Sequence, residues 1–232
     1  MNLSVVKLGL IEYKEAYDLQ MKILKLSQQE AIGNVLLILD HPPVLTVGIN
    51  GKDKNILVKE DVLHEMGVSV FRSNRGGDVT YHGPGQVVAY PIINLNHFGK
   101  DVKNYVRLLE ENSIGLMKEE YGLSADRKPG FPGVWVGNNK ITAIGCAVKR
   151  WVTMHGFALN VNTNLEHFKL INPCGFTDKG VTSLEKLLGE SQDIDIVINH
   201  IIKHFTDLFS MKPQIIDKKI FLRKIGDLYV GE

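Results

Sequence analysis

The sequence has few cysteines: Cys146 and Cys174 are the two among 232 residues. Two thiols are too few for the disulfide framework of a small secreted protein. The first residues, Met1-Asn2-Leu3-Ser4, lack the charged start, the apolar stretch and the small-residue cleavage site of a secretory signal. We therefore expect a cytoplasmic protein.

Long apolar runs and an excess of one charge sign are also missing. No uncharged stretch approaches the roughly 20 residues that a membrane-spanning helix needs. Lys and Arg number 27 against 26 Asp and Glu, a formal net charge of +1. We therefore predict neither a nucleic acid nor a membrane as a partner, and any acidic partner has to be bound by a local patch.

The composition, with 44% hydrophobic and 23% charged residues, is typical of a globular protein. Repeats and low-complexity linkers are absent, so we expect one domain over residues 1–232. Apolar periodicity predicts helices at residues 14–29, 58–66, 100–120 and 193–209. Strand-like runs occupy residues 35–39, 44–47, 68–71, 87–94, 133–136, 141–148 and 151–161.

These elements predict the α+β class, with a mixed, mainly antiparallel sheet packed with helices. Asn138-Asn139 fits a hairpin turn between two of the strands, because asparagine tolerates positive φ. Such a turn would place Lys140 at the start of a strand.

Cys174 stands between a proline and a glycine, in Ile171-Asn172-Pro173-Cys174-Gly175. A sulfur on such constrained, unhindered backbone is accessible to a reactant. Free cysteines, however, are often small buried groups that only pack. The local sequence leaves both interpretations open.

Residues 75–86 combine four glycines and a proline with an arginine, a tyrosine and a histidine. Glycine at this density lets backbone amides approach a ligand, while the side chains add charge and polar contacts. The segment therefore predicts a binding wall, although tight turns between two strands would use the same glycines. It matches neither the P-loop pattern nor the Gly-x-Gly-x-x-Gly pattern of nucleotide sites.

Lys140 begins the apolar run of residues 140–145. Burial of its ammonium would lower its pKa toward a range useful in proton transfer, whereas a lysine at a hairpin end could equally be solvated. His155 and Gly156 begin a further strand segment. The local sequence does not decide whether His155 contacts a ligand or is a satisfied core group.

These segments, in this order, resemble the lipoyl(octanoyl) transferase family. The resemblance covers most of the chain and is carried by His41-Pro42-Pro43-Val44, residues 75–86, Tyr90-Pro91-Ile92, Gly133-Val134-Trp135-Val136, residues 140–145, residues 155–160, Pro173-Cys174-Gly175 and Thr182-Ser183-Leu184. It implies the fold of the biotin and lipoate protein ligase catalytic domain. It also implies no cofactor and no metal.

The resemblance assigns roles to matching positions. Cys174 falls at the acyl-thioester nucleophile, and Lys140 falls at the lysine that lowers the pKa of the cysteine. The implied substrate-binding residues are Arg75, Gly76, Gly77, Asp78, Val79, Thr80, Tyr81, His82, Ala143, Ile144, Gly145, Gly156, Phe157 and Ala158.

The family moves an octanoyl group from octanoyl-acyl carrier protein to a lysine of lipoyl domains. The implied acceptors are the lipoyl domains of 2-oxoacid dehydrogenase complexes and the glycine cleavage H protein, and we expect a monomer. Candidate backbone donors to the oxyanion are Gly76, Gly77 and Gly175. Candidate linings of the acyl slot are Val79, Val87, Ile144 and Phe157, and a candidate docking patch for the acidic carrier is Lys149 and Arg150.

Three other functions remain open. An ATP-dependent lipoate or biotin ligase would share the fold but would need a phosphate site and no cysteine. A cysteine hydrolase would pair Cys174 with His82 or His155. A non-catalytic carrier-protein binding module would not use these groups.

The sequence supports a zinc site less than it supports these three functions. His200 and His204 have the i, i+4 spacing, but Ile201 replaces the glutamate of His-Glu-x-x-His and the sequence shows no third ligand nearby. We therefore predict that both are helix-face residues.

Overall fold

The computed structural model describes residues 1–172 and 179–230. Its helices are α1 (Tyr13–Gln28), α2 (Glu60–Glu65), α3 (Val102–Tyr121), α4 (Leu184–Leu188), α5 (Ile194–Leu208) and α6 (Lys218–Val230). Its strands are β1 (Asn2–Leu10), β2 (Asn34–Asp40), β3 (Val44–Val47), β4 (Ser69–Arg72), β5 (Val79–His82), β6 (Gln86–Ile92), β7 (Asp126–Lys128), β8 (Phe131–Val136), β9 (Asn139–Lys149), β10 (Val152–Asn160), β11 (Gly180–Val181) and β12 (Lys212–Ile215).

The large sheet has the order β12-β1-β2-β6-β10-β9-β8-β7. Strand β1 pairs in parallel with both of its neighbours, and the pairs from β2 to β7 are antiparallel. The short β11 pairs in parallel with the first residues of β9, beyond the point where β10 has ended. The predicted mixed, mainly antiparallel sheet is therefore confirmed.

The two faces of the large sheet bury different helices, because side chains alternate along each strand. On one face Leu36, Val87 and Phe157 pack in a core with residues of α3 and α5. On the other face Leu37 and Val88 pack in a core with residues of α1 and α6. The sheet is thus a middle layer between two helical layers.

A second sheet of three strands, in the order β4-β3-β5, carries the predicted binding wall. Strand β3 pairs in parallel with β4 and antiparallel with β5. The turn between β4 and β5 holds residues 73–78, and β5 itself holds the remainder of the segment up to His82. The predicted binding wall is therefore partly turn and partly strand.

Helices α3 and α5 begin at residues whose side chains cap them. The side chain of Asp101 accepts from the amide of Asn104 at 2.9 Å before α3, and Gly122 ends that helix at a φ of +63°. Before α5, the side chain of Asp193 accepts from the amides of Asp195 and Ile196. The predicted helices at residues 100–120 and 193–209 are confirmed to within two residues at each end.

The hairpin prediction is wrong by one residue. Val136 pairs with Asn139, so the turn is Gly137-Asn138 rather than Asn138-Asn139. The residue with positive φ is Gly137, at +57°, because glycine has no Cβ to clash there. Lys140 is nevertheless the second residue of β9, close to the predicted strand start.

The sequence did not predict β1, β12 or α6. Strand β12 is exposed along its whole length and contains Pro213, so it lacks the apolar alternation of a half-buried strand. Its pairing depends on β1, which is distant in sequence.

Among the described residues, no helix combines the length and the apolar character needed to cross a membrane.

Candidate active site

A cavity of about 470 Å³ lies between the large sheet and the small one. Its floor is formed where β9 and β10 pair Gly145 with Gly156 and Ala143 with Ala158. The four side chains point to the same face because pairs two residues apart share a face. Since each is a hydrogen atom or a methyl group, the floor projects little side-chain volume into the cavity.

Close backbone contact requires glycine in this floor. A Cβ on Gly145 would lie 2.9 Å from the carbonyl oxygen of Gly76, and a Cβ on Gly156 would overlap the carbonyl oxygen of Ala89. Gly48 is equally confined, because its Cβ would overlap the carbonyl oxygen of Gly77. The turn before β5 thus rests directly on glycines of β9 and of the segment after β3.

Arg75 holds this turn in place from inside. Its Nε donates to Thr46 Oγ1 at 3.0 Å, and its Nη2 donates to Thr46 Oγ1 at 2.8 Å and to the carbonyl oxygen of Thr46. Its Nη1 donates to the carbonyl oxygen of Gly76 at 3.1 Å. Burial lowers the pKa of the Arg75 guanidinium, which is 7% exposed. Although Arg75 lines the cavity, most of its hydrogen bonds go to the protein itself.

Two buried histidines beside the cavity are neutral. His41 Nδ1 lies 2.7 Å from the carbonyl oxygen of Ile11 and must donate, so its Nε2 accepts from Tyr90 Oη at 2.8 Å. Burial lowers the pKa of His41 to about 4. Burial, with the electrostatic influence of His41 and of the Arg75 guanidinium, holds the pKa of His82 well below its usual range.

His82 begins a chain of polar contacts that crosses the site. Its Nδ1 donates to Gln86 Oε1 at 2.7 Å, Gln86 Nε2 donates to Asn160 Oδ1 at 2.8 Å, and Asn160 Nδ2 donates to the carbonyl oxygen of Thr182 at 3.0 Å. The Thr182 amide in turn donates to the carbonyl oxygen of Lys140 at 3.0 Å. The network therefore ties β5, β6, β10 and the segment after β11 to the start of β9.

His155 lines the cavity in an unusual conformation, with a φ of +57°. Its Nε2 donates to Asn74 Oδ1 at 2.7 Å, and its backbone amide donates to Gln20 Oε1 at 2.7 Å. Its Nδ1 is buried and has no partner among the described residues. Burial, with the charge of Arg75, lowers its pKa to about 3, so the ring is neutral.

Lys140 lies at the cavity, half-buried against aromatic side chains. Its Nζ donates to the carbonyl oxygen of Pro132 at 3.1 Å and lies 4.9 Å from the centre of the Trp135 ring. The Nζ of Lys179 lies 4.6 Å from the centre of the Phe131 ring. Ammonium groups near ring faces are attracted by the negative charge of the π-cloud. The same edge of the cavity thus combines lysines with two aromatic side chains.

The predicted nucleophile, Cys174, lies outside the described residues, as does Gly175. Both flanks of the gap are described and both line the cavity: Asn172 on one side and Lys179 on the other. The amide of Asn172 donates to the carbonyl oxygen of Asn55 at 2.8 Å, and Val181 pairs with Lys140. The described chain therefore lines the cavity up to residue 172 and again from residue 179.

The other thiol, Cys146, has no feature of a nucleophile. It packs against the core on the α3 side, and burial raises its pKa to about 11. A thiol with such a pKa is almost entirely protonated at neutral pH. Cys146 is thus a packing residue, as its position in an apolar strand suggests.

The structure brings most of the predicted substrate-binding residues to one cavity. Those that line it are Arg75, Gly77, Asp78, Val79, Thr80, His82, Ala143, Ile144, Gly145, Gly156, Phe157 and Ala158, together with Lys140. Gly76 and Tyr81 are not among the lining residues. The amide of Gly76 donates to the carbonyl oxygen of Cys146 at 2.9 Å, so this predicted oxyanion donor is already engaged. Tyr81 packs under the small sheet, where its Oη bonds His167 Nδ1 at 2.8 Å.

Two further placements differ from the expectations. Val87 points into the α3–α5 core, and its neighbour Val88 lines the cavity instead, because adjacent strand residues face opposite sides.

Lys149 and Arg150 lie at the far end of β9 from Lys140. Nine residues of strand span about 30 Å. They are therefore remote from the cavity edge.

Several lining residues were not predicted. Tyr13 comes from α1, Lys169 from the segment before the gap and Lys186 from α4. No local pattern marks them, because each reaches the site through tertiary packing. Tyr90 belongs to a motif that carries the family resemblance, and that signal could have assigned it to the site.

Comparison with known proteins agrees with this geometry. Residues 12–206 match the family described as lipoyl protein ligase A/B catalytic domain. An octanoyltransferase of Desulforamulus reducens is 57% identical over 226 residues, which cover 97% of this chain and 99% of that protein. A putative lipoate protein ligase of T. acidophilum, solved with bound lipoic acid, superposes with a TM-score of 0.72 at 16% identity, over 99% of this chain and 97% of that one. The biotin protein ligase of Aquifex aeolicus gives a TM-score of 0.51 at 13% identity, over 90% of this chain and 69% of that one.

The chain therefore belongs to the lipoyl protein ligase A/B catalytic domain family. Its similarity to octanoyltransferases extends over almost its whole length, which makes it an enzyme of the acyltransferase class. The predicted likeness to the fold of lipoate and biotin protein ligases is confirmed.

Proposed function

We propose that this enzyme transfers an octanoyl group from octanoyl-acyl carrier protein to a lysine of lipoyl domains, through a thioester on Cys174. This would be the first step of endogenous protein lipoylation, and it would take place in the cytoplasm. The acceptors would be lipoyl domains of 2-oxoacid dehydrogenase complexes and the glycine cleavage H protein. The identity to octanoyltransferases supports the reaction class.

One observation carries the assignment of the site. Lys140 and both flanks of the segment that contains Cys174, Asn172 and Lys179, line the same cavity. The family resemblance links Lys140 and Cys174 to catalysis, and the two residues are far apart in sequence. The position of Lys140 in the same cavity as both flanks of the Cys174 segment supports a nucleophile and base pair.

The cavity fits an apolar acyl chain. Its floor consists of the four small residues of β9 and β10, and Val79 and Val88 add apolar walls. Burial of a methylene group contributes about 0.8 kcal/mol, so several buried methylenes would give strong selectivity for an acyl chain over a short acid. The neutral histidines let an uncharged chain enter without displacing a counter-ion.

In the first half-reaction, the Nζ of neutral Lys140 accepts the thiol proton of Cys174. The thiolate attacks the carbonyl carbon of the donor thioester, the bond to the pantetheine sulfur breaks, and the leaving thiolate takes the proton from Lys140. One thioester replaces another, so the step is nearly balanced in energy and needs no ATP.

In the second half-reaction, the lysine amine of the lipoyl domain attacks the acyl-enzyme. A carbon–nitrogen bond forms, the bond to the Cys174 sulfur breaks, and Lys140 relays a proton from the amine to the sulfur. An amide is more stable than a thioester, which drives the transfer forward. Gly77 and Gly175 remain the candidate backbone donors to the oxyanion.

The charges around the cavity suit an acidic carrier protein. Apart from the proposed base Lys140, the described lining residues include four cationic side chains, Arg75, Lys169, Lys179 and Lys186, against the two anionic ones, Asp78 and Glu166. Opposite charges at an interface mainly raise the association rate. We therefore assign the docking of the donor to this edge of the cavity rather than to Lys149 and Arg150.

The decisive experiment is intact mass spectrometry after mixing the enzyme with octanoyl-acyl carrier protein. We expect one octanoyl adduct on the wild type, mapped by peptide analysis to Cys174, and none on Cys174→Ser. Addition of lipoyl domain should remove the adduct and place it on the domain. Product formation by Cys174→Ser at the wild-type rate would refute the thioester mechanism.

A second experiment addresses Lys140. Lys140→Ala should slow acylation of Cys174 at neutral pH by about 100-fold or more, as expected for loss of a general base. Lys128→Ala is the matched control, because the Nζ of Lys128 also lies 4.9 Å from the Trp135 ring centre but Lys128 does not line the cavity. Equal acylation rates in the two variants would remove Lys140 from the mechanism.

The hydrolase alternative is disfavoured by the histidines. A general base needs a pKa near the working pH, whereas burial lowers the pKa of His155 to about 3 and that of His82 well below its usual value. Release of free octanoate in the presence of saturating lipoyl domain would support the hydrolase. ATP-dependent lipoylation that survives Cys174→Ala would support the ligase.

A further inference from the structure

Helices α3 and α5 bring together four potential metal ligands away from the cavity. Glu119 and Glu120 lie in the last turn of α3, and His200 and His204 lie one turn apart on α5. Residues four apart on a helix share a face. The third ligand that the sequence did not supply is thus provided by the neighbouring helix.

The contacts between these side chains converge on one carboxylate. Nε2 of His204 lies 3.3 Å from Glu120 Oε1 and 3.9 Å from Glu119 Oε2. Nε2 of His200 lies 3.4 Å from Glu120 Oε2. Ligand atoms of Glu119, Glu120 and His204 lie within 4.8 Å of one another.

Three of these separations approach those of a tetrahedral zinc shell. Zinc binds histidine nitrogen and carboxylate oxygen at about 2.0–2.2 Å, so ligand atoms at tetrahedral angles lie about 3.3–3.5 Å apart. The contacts of His204 and His200 with Glu120, at 3.3 and 3.4 Å, fall in that range and reach the two different oxygens of this carboxylate. A small movement of the exposed Glu119 would bring its 3.9 Å contact with His204 into the same range.

The electrostatics of helix α3 also favour a bound cation at this place. The carboxyl end of α3 carries a partial negative charge, which makes carboxylates there unfavourable. Glu119 and Glu120 nevertheless occupy its last turn. A divalent cation between them and the histidines would offset this repulsion.

We propose that Glu119, Glu120, His200 and His204 form a binding site for Zn²⁺ that clamps α3 to α5. The metal would take the Nε2 lone pairs of the histidines and replace the direct contacts to Glu120. Four protein ligands close the coordination shell, which is the pattern of a structural site rather than a catalytic one.

The surroundings predict a moderate affinity. Zinc-bound histidines usually donate their second ring nitrogen to an acceptor, and loss of such a partner costs about 10–100-fold in affinity. Nδ1 of His200 is buried without a partner among the described residues. We therefore expect Zn²⁺ to bind about 10–100-fold more weakly than at a fully supported site.

The test is a calorimetric titration of tag-free, EDTA-treated full-length protein with ZnCl₂. We expect one equivalent of Zn²⁺ per chain in the wild type. His204→Gln and Glu120→Gln should each weaken binding by more than about tenfold, since removal of a ligand costs at least as much as loss of a second-shell partner. Zn²⁺ should also raise the melting temperature of the wild type by several degrees but not that of Glu120→Gln.

Controls separate this site from other histidines and from the thiols. His97→Gln removes an exposed histidine elsewhere and should bind like the wild type. Cys174→Ser should also retain the equivalent of Zn²⁺, and Co²⁺ bound in its place should show the visible spectrum of a tetrahedral complex. Circular dichroism checks that each variant is folded. The absence of saturable binding, its persistence in both ligand variants or its loss in Cys174→Ser would overturn the proposal.

Discussion

The inner wall of the cavity and its exposed edge contain similar basic residues in opposite physical states. On the inner wall, His82 and His155 are buried and neutral, and the guanidinium of Arg75 is bonded to backbone and hydroxyl oxygens. At the edge, Lys169 and Lys186 are exposed to solvent. Burial, rather than residue type, therefore decides whether a basic group acts as a charge or as a structural donor.

The largest expected effect is a loss of stability in mild acid. The folded state keeps His41, His82 and His155 neutral, whereas the unfolded chain protonates histidine near pH 6.5, so the unfolded state binds more protons below that pH. The free energy of unfolding should therefore fall as the pH drops from about 6.5 toward 4. The slope should approach about 1.4 kcal/mol per pH unit for each histidine.

Urea denaturation at several pH values measures this slope. His41→Gln should reduce it, and His97→Gln, which changes an exposed histidine, should leave it unchanged. A free energy of unfolding that stays constant between pH 6.5 and 5 would mean that the buried histidines are not neutral in the folded state.

Arg75→Met should destabilise the protein by about 2–4 kcal/mol, because it leaves the buried carbonyl oxygens of Thr46 and Gly76 without their donor. Arg72→Met is the matched control. Arg72 is exposed and pairs with Asp53 at 2.5 Å, so its loss should cost about 1 kcal/mol or less. Equal free energies of unfolding for the two variants would show that Arg75 is no more structural than a surface arginine.

Gly48→Ala should cost about 1–3 kcal/mol, because its Cβ would overlap the carbonyl oxygen of Gly77 and displace the turn that Arg75 holds. Gly226→Ala provides the opposite case within α6. A Cβ there meets nothing within 4 Å, and alanine is the better helix former by roughly 0.8–1 kcal/mol. Thermal denaturation of both variants should therefore give shifts of opposite sign, and a stabilised Gly48→Ala would contradict the close contact.

The smallest expected effect is a change of kcat/KM when a lysine at the exposed edge of the cavity is replaced. Lys186→Glu should lower kcat/KM for octanoyl-acyl carrier protein by about threefold to tenfold, mostly through slower association, with little effect on stability. Lys149→Glu, the same change at the far end of β9, should leave kcat/KM unchanged. Assays at low and high salt check the assignment, because screening should reduce the difference between the two variants. A larger loss of kcat/KM in Lys149→Glu than in Lys186→Glu would instead support docking at Lys149 and Arg150.

The fold was predictable wherever apolar periodicity was strong. The helices α1, α3 and α5 and most central strands follow directly from it, because each buries a face of its own. Strand β12 was not predictable, since all four of its residues are exposed and its pairing depends on β1. The hairpin turn was misplaced by one residue because Gly137, not an asparagine, takes the positive φ.

The candidate site was predictable through its glycines and its motif residues. The lining role of Val88 in place of Val87 depended on which face of β6 meets the small sheet, which periodicity leaves undecided when both faces are buried. The pairing of His204 with Glu120 was likewise invisible, because the two residues are 84 positions apart. The catalytic assignment of Cys174 and Lys140 stays a proposal that the acylation experiment tests.

The amino-acid sequence by itself determined most of the segments that become helices and strands, and it placed small residues where β9 and β10 form the floor of the cavity. These properties are local, since they arise from side-chain size, periodicity and backbone freedom. The tertiary structure alone decided which polar groups are charged and which side chains meet. Protonation depends on desolvation and on neighbouring charges, and both exist only after distant strands and helices have packed together.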